Sequence, residues 1–248
     1  MLAITSDSFV GYGLDRAFAL AAEAGLDGIE VVIRHGEFDT YSAEYLQELS
    51  KRHKLPIVAI STPMSLNAAK ALRAVDLAAE VGAPIVNLTP PDIFDFNYRK
   101  WLREEMPAIR KKKKITVAVV NPPVKNIFGF LPQYAFGDIY QLRDNLEEIA
   151  FDVSNTLGRS EPLLEIYSIL KRNIRYIYLS NAKASKNHTL FLDGNLPLES
   201  LLTRLAKDNS TTTLTLKFNP KSLGVGKVDK MLGNLANCRK FVAKYLKG

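Results

Sequence analysis

Short apolar runs rich in β-branched residues recur along this chain, each followed by a stretch with helical spacing. That alternation constrains the fold more than any single motif. The runs are Leu2–Ser6, Gly28–Ile33, Ile57–Ser61, Ile85–Leu88, Ile115–Val120, Ile149–Val153, Ile174–Leu179 and Thr212–Phe218. Runs such as Gly28-Ile-Glu-Val-Val-Ile33 read as strands covered on both sides, the pattern of a parallel sheet. Between them, Leu14–Ala24 is Ala-rich with a stop at Gly25, Ser42 caps a helix through His53, and Asn67 caps Ala68–Val81 before Gly82. Further helices are expected over 97–112, over a short 140–145, and over 161–171, 198–207 and 228–246.

Eight strands alternating with about eight helices, without a composition break that would mark a linker, predict a single (β/α)8 TIM barrel over 1–248. The competing architecture is a doubly wound open sheet. It lacks its usual phosphate loop here, because Ser6-Asp7-Ser8-Phe9 after the first strand is no G-x-G-x-x-G. P-loop, nucleophile-elbow, H-E-x-x-H and paired-cysteine zinc motifs are also absent from the sequence.

Composition narrows the partners. Without an apolar run of 18 residues, no membrane span is expected, and the start MLAITSDSF reads as a first strand instead of a secretory signal. Cys238 is the one cysteine, in a helical context that suits packing, and a lone thiol fits a cytoplasmic location. The net charge of +7 permits an anionic partner. Its sharpest run, Arg110 to Lys114, closes a helix just before a strand, where cations favour the helix dipole. A solvated cap is therefore the expectation there, and nucleic-acid binding rests on net charge alone.

In an alternating barrel, chemistry gathers where strands end and helices have not yet begun. The stretch 173–198 has that form: a strand ending at Leu179, the polar pair Ser180 and Asn181, then a loop with Lys186, Asn187 and His188. Asn121, Asn155 and Asn181 all fall at strand ends, where amides either recognise hydroxyls or cap loops. His188 is a candidate acid–base group or sugar ligand, set against a plain exposed histidine. Tyr178 is either a ligand contact or a core aromatic whose hydroxyl meets Asp152. Glu30, at the second strand, either meets substrate or orients loop backbone. His35 is an anion candidate and His53 reads as a surface residue. The aromatic segment 124–137 is a candidate lid or subunit interface, the latter making the protein a homo-oligomer.

The helix-to-strand runs LAAEAGLDGIEVV (20–32) and LAAEVGAPIVNL (77–88), with HTLFLDGNLPLESLLTRL (188–205), resemble the xylose isomerase-like TIM barrel superfamily across essentially the whole chain. That superfamily includes sugar isomerases, epimerases and endonuclease IV-type repair enzymes. The resemblance implies one divalent metal between Glu, Asp, His and Glu at the ends of strands five to eight. Here those positions hold Val120, Asp152, Tyr178 and Lys217, with Asn155 where a histidine often stands and Asn181 at a frequent Asp. Asp152 alone survives, so neither metal nor other cofactor is expected, and the repair-enzyme branch, which needs more ligands, fits worse.

A buried, unpaired Asp152 would be costly, and Lys217 from strand eight is placed to neutralise it, with Glu30 as a second partner. Asp152, Lys217 and Glu30 are accordingly the candidate catalytic residues. Asn121, Asn155, Tyr178, Asn181 and His188 are the candidate substrate-binding residues. A Schiff-base Lys217 is chemically conceivable but is opposed by the adjacent carboxylate. The function expected is a sugar or sugar phosphate isomerase/epimerase-like barrel with a degenerate metal site, binding a small polyol or sugar-type ligand. A noncatalytic barrel that binds a small ligand or a partner protein is the alternative.

Overall fold

The computed structural model describes residues 1–62, 67–184 and 186–246. Eight parallel strands close on themselves: β1 Leu2–Thr5, β2 Gly28–Val32, β3 Ile57–Ser61, β4 Ile85–Leu88, β5 Thr116–Val120, β6 Ile149–Asp152, β7 Ile174–Leu179 and β8 Thr213–Leu216. Each pairs with its neighbour in sequence, and β8 returns to β1 with Leu214 opposite Leu2. The sheet is thus a single (β/α)8 barrel, and the open-sheet alternative is set aside. No helix among the described residues is long and apolar enough to cross a membrane.

Local signals act as the sequence implies. The helices are α1 Leu14–Glu23, α2 Ala43–His53, α3 Ala68–Val81, α4 Phe96–Glu104, α5 Met106–Lys113, α6 Ile139–Asn145, α7 Leu163–Leu170, α8 Leu198–Lys207, α9 Pro220–Leu223 and α10 Val228–Leu246. Ser42 accepts the Tyr45 N–H and Asn67 accepts the Lys70 N–H, each capping its helix. Gly82 ends α3 at φ 74°, a left-handed conformation a side chain would resist. Helix α8 buries Leu198, Leu201, Leu202 and Leu205, spaced for one face, and each contributes about 2 kcal/mol by leaving water.

One departure has a local cause. The helix expected over 97–112 is broken into α4 and α5 at Glu105, because Pro107 lacks the N–H that an uninterrupted helix would need and fits only a first turn. Within segment 124–137, the candidate lid or interface, Asn126–Ile127 pairs antiparallel with Leu131–Pro132, leaving Phe128 and Phe130 84% and 79% exposed at the tip.

The main core lies between sheet and helices and includes Cys238, so the thiol packs as expected. Inside the barrel is a second, smaller cluster: Ala59 on β3, Ala118 on β5, Ala150 on β6, and Tyr176 with Tyr178 on β7. Three alanines make room for two tyrosine rings, which meet edge to face at 5.1 Å. Tyrosines at i and i+2 share a strand face, so both hydroxyls enter the barrel.

Candidate functional site

Asp152 ends β6 with its side chain fully buried. Its Oδ1 accepts from the N–H and the hydroxyl of Ser154, both at 3.1 Å, and its Oδ2 accepts from Lys217 Nζ at 2.9 Å. Lys217 leaves the end of β8, and its ammonium also lies 4.4 Å above the Tyr178 ring. Burial pushes the Asp152 carboxyl up, but the Lys217 and His188 charges and the hydrogen bonds from Lys217 and Ser154 outweigh it and hold it below its ordinary value. Burial likewise pulls Lys217 down, and Asp152 overcomes this to hold the amine above the usual lysine range. A lysine held protonated is a poor Schiff-base nucleophile.

Glu30 occupies the barrel interior beneath this pair. Its Oε1 accepts from Ser61 Oγ and, at 2.7 Å, from the Tyr178 hydroxyl, while Oε2 accepts from the Tyr176 hydroxyl at 2.9 Å. Thr215 donates to the Tyr176 hydroxyl at 2.6 Å. Both carboxylate oxygens are therefore taken by hydroxyls, so Lys217 is bonded to Asp152 and the expected second pairing with Glu30 does not form as a hydrogen bond. The Tyr178 hydroxyl meets Glu30 and not Asp152, because β7 turns it across the barrel toward β2. Burial raises Glu30 to about 6, against the hydrogen bonds from Ser61 and Tyr178 that favour its charge. The Tyr176 and Tyr178 phenols are pushed well above their ordinary value by burial and by the Glu30 charge.

His188 is carried by a hairpin in which Asn181–Lys183 pairs with Lys186–Thr189. The expected loop is thus a short ladder, and Ser185 lies outside the described residues. The hairpin folds His188 onto the site instead of leaving it exposed: Nδ1 is 2.7 Å from Ser154 Oγ and 3.3 Å from Ser180 Oγ, with Nε2 3.7 Å from Asp152 Oδ2. Since the Ser154 hydroxyl donates to Asp152, the network assigns the imidazole proton to Nδ1 and leaves a lone pair on Nε2. Burial lowers His188 to about 4, so the ring is neutral near pH 7.

The three asparagines divide. Asn121 donates to the Asp152 carbonyl at 3.1 Å and accepts its N–H at 2.5 Å, locking the end of β5 to β6. Asn181 accepts the N–H groups of Ala182 and Leu196 and donates to the carbonyls of Phe191 and Leu196. Neither lines the cavity at the barrel mouth, and both amides are spent on backbone, which corrects their expected role in substrate binding. Asn155 donates to the Asn121 carbonyl at 2.9 Å and does line the cavity. Asn181→Ala is expected to lower stability by about 3 kcal/mol in urea melts, since it strands buried backbone groups in the 181–196 loop. Gly194→Ala should disturb the same loop, as a Cβ there would sit 2.3 Å from Asn181 Oδ1.

These groups border a cavity of about 470 Å³ at the strand C-termini, lined among others by Asp7, Thr62, Asn87, Asn155, His188 and Lys217. Asn87 of β4 was not foreseen. It is 1% exposed, and neither its amide nitrogen nor its amide oxygen has a partner. The available signal was one polar residue inside the apolar strand Ile85-Val-Asn-Leu. Ser61, Ser154 and Tyr176 were likewise missed. His35 is exposed and outside the cavity, and His53 bonds Asp15 at 2.9 Å between α1 and α2, partly buried instead of on the open surface. The Arg110–Lys114 run closes α5 on the face away from the mouth, where Arg110 pairs with Glu147 and Glu148 and Lys113 with Asp76. Among the described residues, no three His, Cys, Asp or Glu side chains are grouped to hold a metal ion.

Comparison with known proteins agrees with the architecture. A D-tagatose 3-epimerase-like protein superposes with a TM-score of 0.73 over 99% of this chain and 97% of that one, at 15% identity. The 3-keto-D-glucoside 4-epimerase of E. coli gives 0.71 over 96% and 98% at 13% identity, and an IolI protein with a bound zinc atom gives 0.70 over 98% of each at 15%. At such identities the likeness is one of fold. An uncharacterized protein of Mycobacterium bovis and one of Mycobacterium leprae are each 25% identical over 132 residues, covering 50% of this chain and 45% of theirs. The match thus spans about half the length of those curated relatives. The family profile for the xylose isomerase-like TIM barrel matches residues 18–227, and the chain belongs to that family.

Proposed function

We propose that the protein binds a small sugar-type or polyol ligand in the mouth cavity, with the Lys217 ammonium standing in for the divalent metal that the family resemblance implies. The observation that carries this reading is the Lys217–Asp152 contact of 2.9 Å at the cavity wall. A divalent cation suits this donor set poorly. Both Asp152 oxygens already accept, both Glu30 oxygens are taken by hydroxyls, and an ammonium bonded to Asp152 would repel the ion. Sugar epimerases among the structural neighbours support the ligand class.

In this reading Lys217 faces the ligand oxygen that gathers negative charge, as fixed cations do in proton-transfer chemistry beside a carbonyl. The Nε2 lone pair of His188 accepts from a hydroxyl, and Asn87 and Asn155 bind others. Tyr178 links the cavity to Glu30, the carboxyl whose raised value brings it nearest to general-base range. A barrel that binds without turnover is the second reading. It is favoured by His188 at about 4 and a protonated Lys217, neither of which is a strong base at neutral pH.

The test is calorimetry with a panel of ketoses, aldoses and polyols after exhaustive chelation, followed by a turnover assay on whatever binds. Saturable binding that survives chelation is expected, weakened about tenfold in Asn87→Ala through loss of one or two hydrogen bonds. Stabilisation by Mn, Mg, Zn or Co in a thermal-shift titration would sink the substituted-metal reading. Turnover after chelation selects an isomerase or epimerase, and binding without turnover selects the noncatalytic barrel.

A further inference from the structure

A second cavity of about 460 Å³ lies beside the first, and the two share Pro123, Val124, Lys125 and Tyr134. Arg99 of α4 reaches into it. Its guanidinium lies over the rings of Phe96 and Phe136, 5.6 and 5.7 Å from their centroids. One nitrogen bonds the Ile93 carbonyl at 3.3 Å, and Nε is buried without a partner. No described carboxylate lies within ion-pair reach of Arg99, whereas Arg34 and Arg110 each have two and Arg175 has one. Nearby Arg159 also has a buried Nε without a partner, but its two terminal nitrogens clamp the carbonyls of Gly137 and Pro122 at 2.6 Å each, whereas Arg99 makes one such bond.

The cavity's own carboxylate, Asp138, spends Oδ1 on the N–H groups of Tyr140 and Gln141 at the start of α6. Lys125 is exposed and lines both cavities. An aromatic face against a guanidinium restricts its orientation and leaves its donor fork free for an anion.

We propose that Arg99, assisted by Lys125, is an anion subsite that receives a phosphate or carboxylate carried by the ligand of the neighbouring cavity. This rests on the proposed sugar-type ligand for its physiological context, though the anion site itself can be tested alone. Trp101, the one tryptophan, lies two residues from Arg99 on the same helix and serves as a fluorescence reporter beside thermal shift.

The probes are inorganic phosphate, D-fructose, D-fructose 6-phosphate and D-gluconate, with sodium chloride at matched ionic strength as control. The wild type should bind the 6-phosphate at least tenfold more tightly than fructose. Arg99→Gln should erase that ratio while leaving fructose affinity unchanged. Arg99→Lys should retain part of it, and carries the test should the glutamine variant not fold. Preference for gluconate instead would assign the site to a carboxylate. If neither sugar binds but phosphate stabilises the wild type and not Arg99→Gln, the anion subsite stands and the sugar reading fails. If fructose binds but an anionic group adds nothing, or the preference survives in Arg99→Gln, the subsite is overturned.

Discussion

Replacing Lys217 with methionine is expected to lower stability by about 3 kcal/mol at pH 7, because it leaves a fully buried carboxylate without its cation. The figure sits at the low end for broken buried pairs because the Lys217 side chain is 24% exposed. The pH dependence identifies the cause. In the wild type Asp152 is held below its ordinary 3.8, so its contribution is present above that value and is lost as pH falls below it. Without Lys217, burial dominates and raises the Asp152 carboxyl, so the neutral acid becomes the preferred form. The deficit of Lys217→Met should therefore be largest at neutral pH and shrink toward pH 4. Urea melts at pH 7 and pH 4 measure this, and adding Asp152→Asn to the variant should recover part of the loss at pH 7. Equal midpoints for wild type and Lys217→Met at pH 7 would show that the pair contributes nothing.

Glu30→Gln is expected to remove a pH effect of the opposite sign. Glu30 is raised from 4.5 to about 6 in the fold, so its contribution is full below pH 4.5 and is lost as pH rises through about 6. The gap corresponds to about 2 kcal/mol. Glutamine cannot ionise, and the hydroxyls of Ser61, Tyr176 and Tyr178 can rotate to accept from its amide. Relative to wild type, the variant should thus gain about 2 kcal/mol between pH 4.5 and pH 7.5. A stability difference that stays constant across that range would mean that Glu30 titrates at its ordinary value.

The barrel was legible because its signals are local. Ser42, Asn67 and Gly82 act within one helix turn, and the run Gly28–Ile33 announces a buried parallel strand by its composition alone. The Asp152–Lys217 pair was also legible, since an acid and an amine at the ends of β6 and β8 must share one barrel mouth once the strand order is known. The break at Glu105 was missed although Pro107 stood in the sequence, because helical spacing on either side outweighed one residue. Asn121 and Asn181 were misread for a different reason. A strand-end amide looks the same in sequence whether it meets a ligand or a backbone group, and only the path of the neighbouring loop decides.

What the sequence determined by itself was the order and kind of the elements, because strand and helix periodicities are written in neighbouring residues. What tertiary structure alone decided was which polar groups meet. Tyr178 bonds Glu30 from 148 residues away, and Ser61 reaches Tyr178 from 117. The hairpin after β7 turns His188 onto Ser154, and closure of the barrel leaves Asn87 facing a cavity without a partner. Such pairings depend on strand register and ring closure, which set inward-facing side chains opposite one another across the barrel and leave no trace in local spacing.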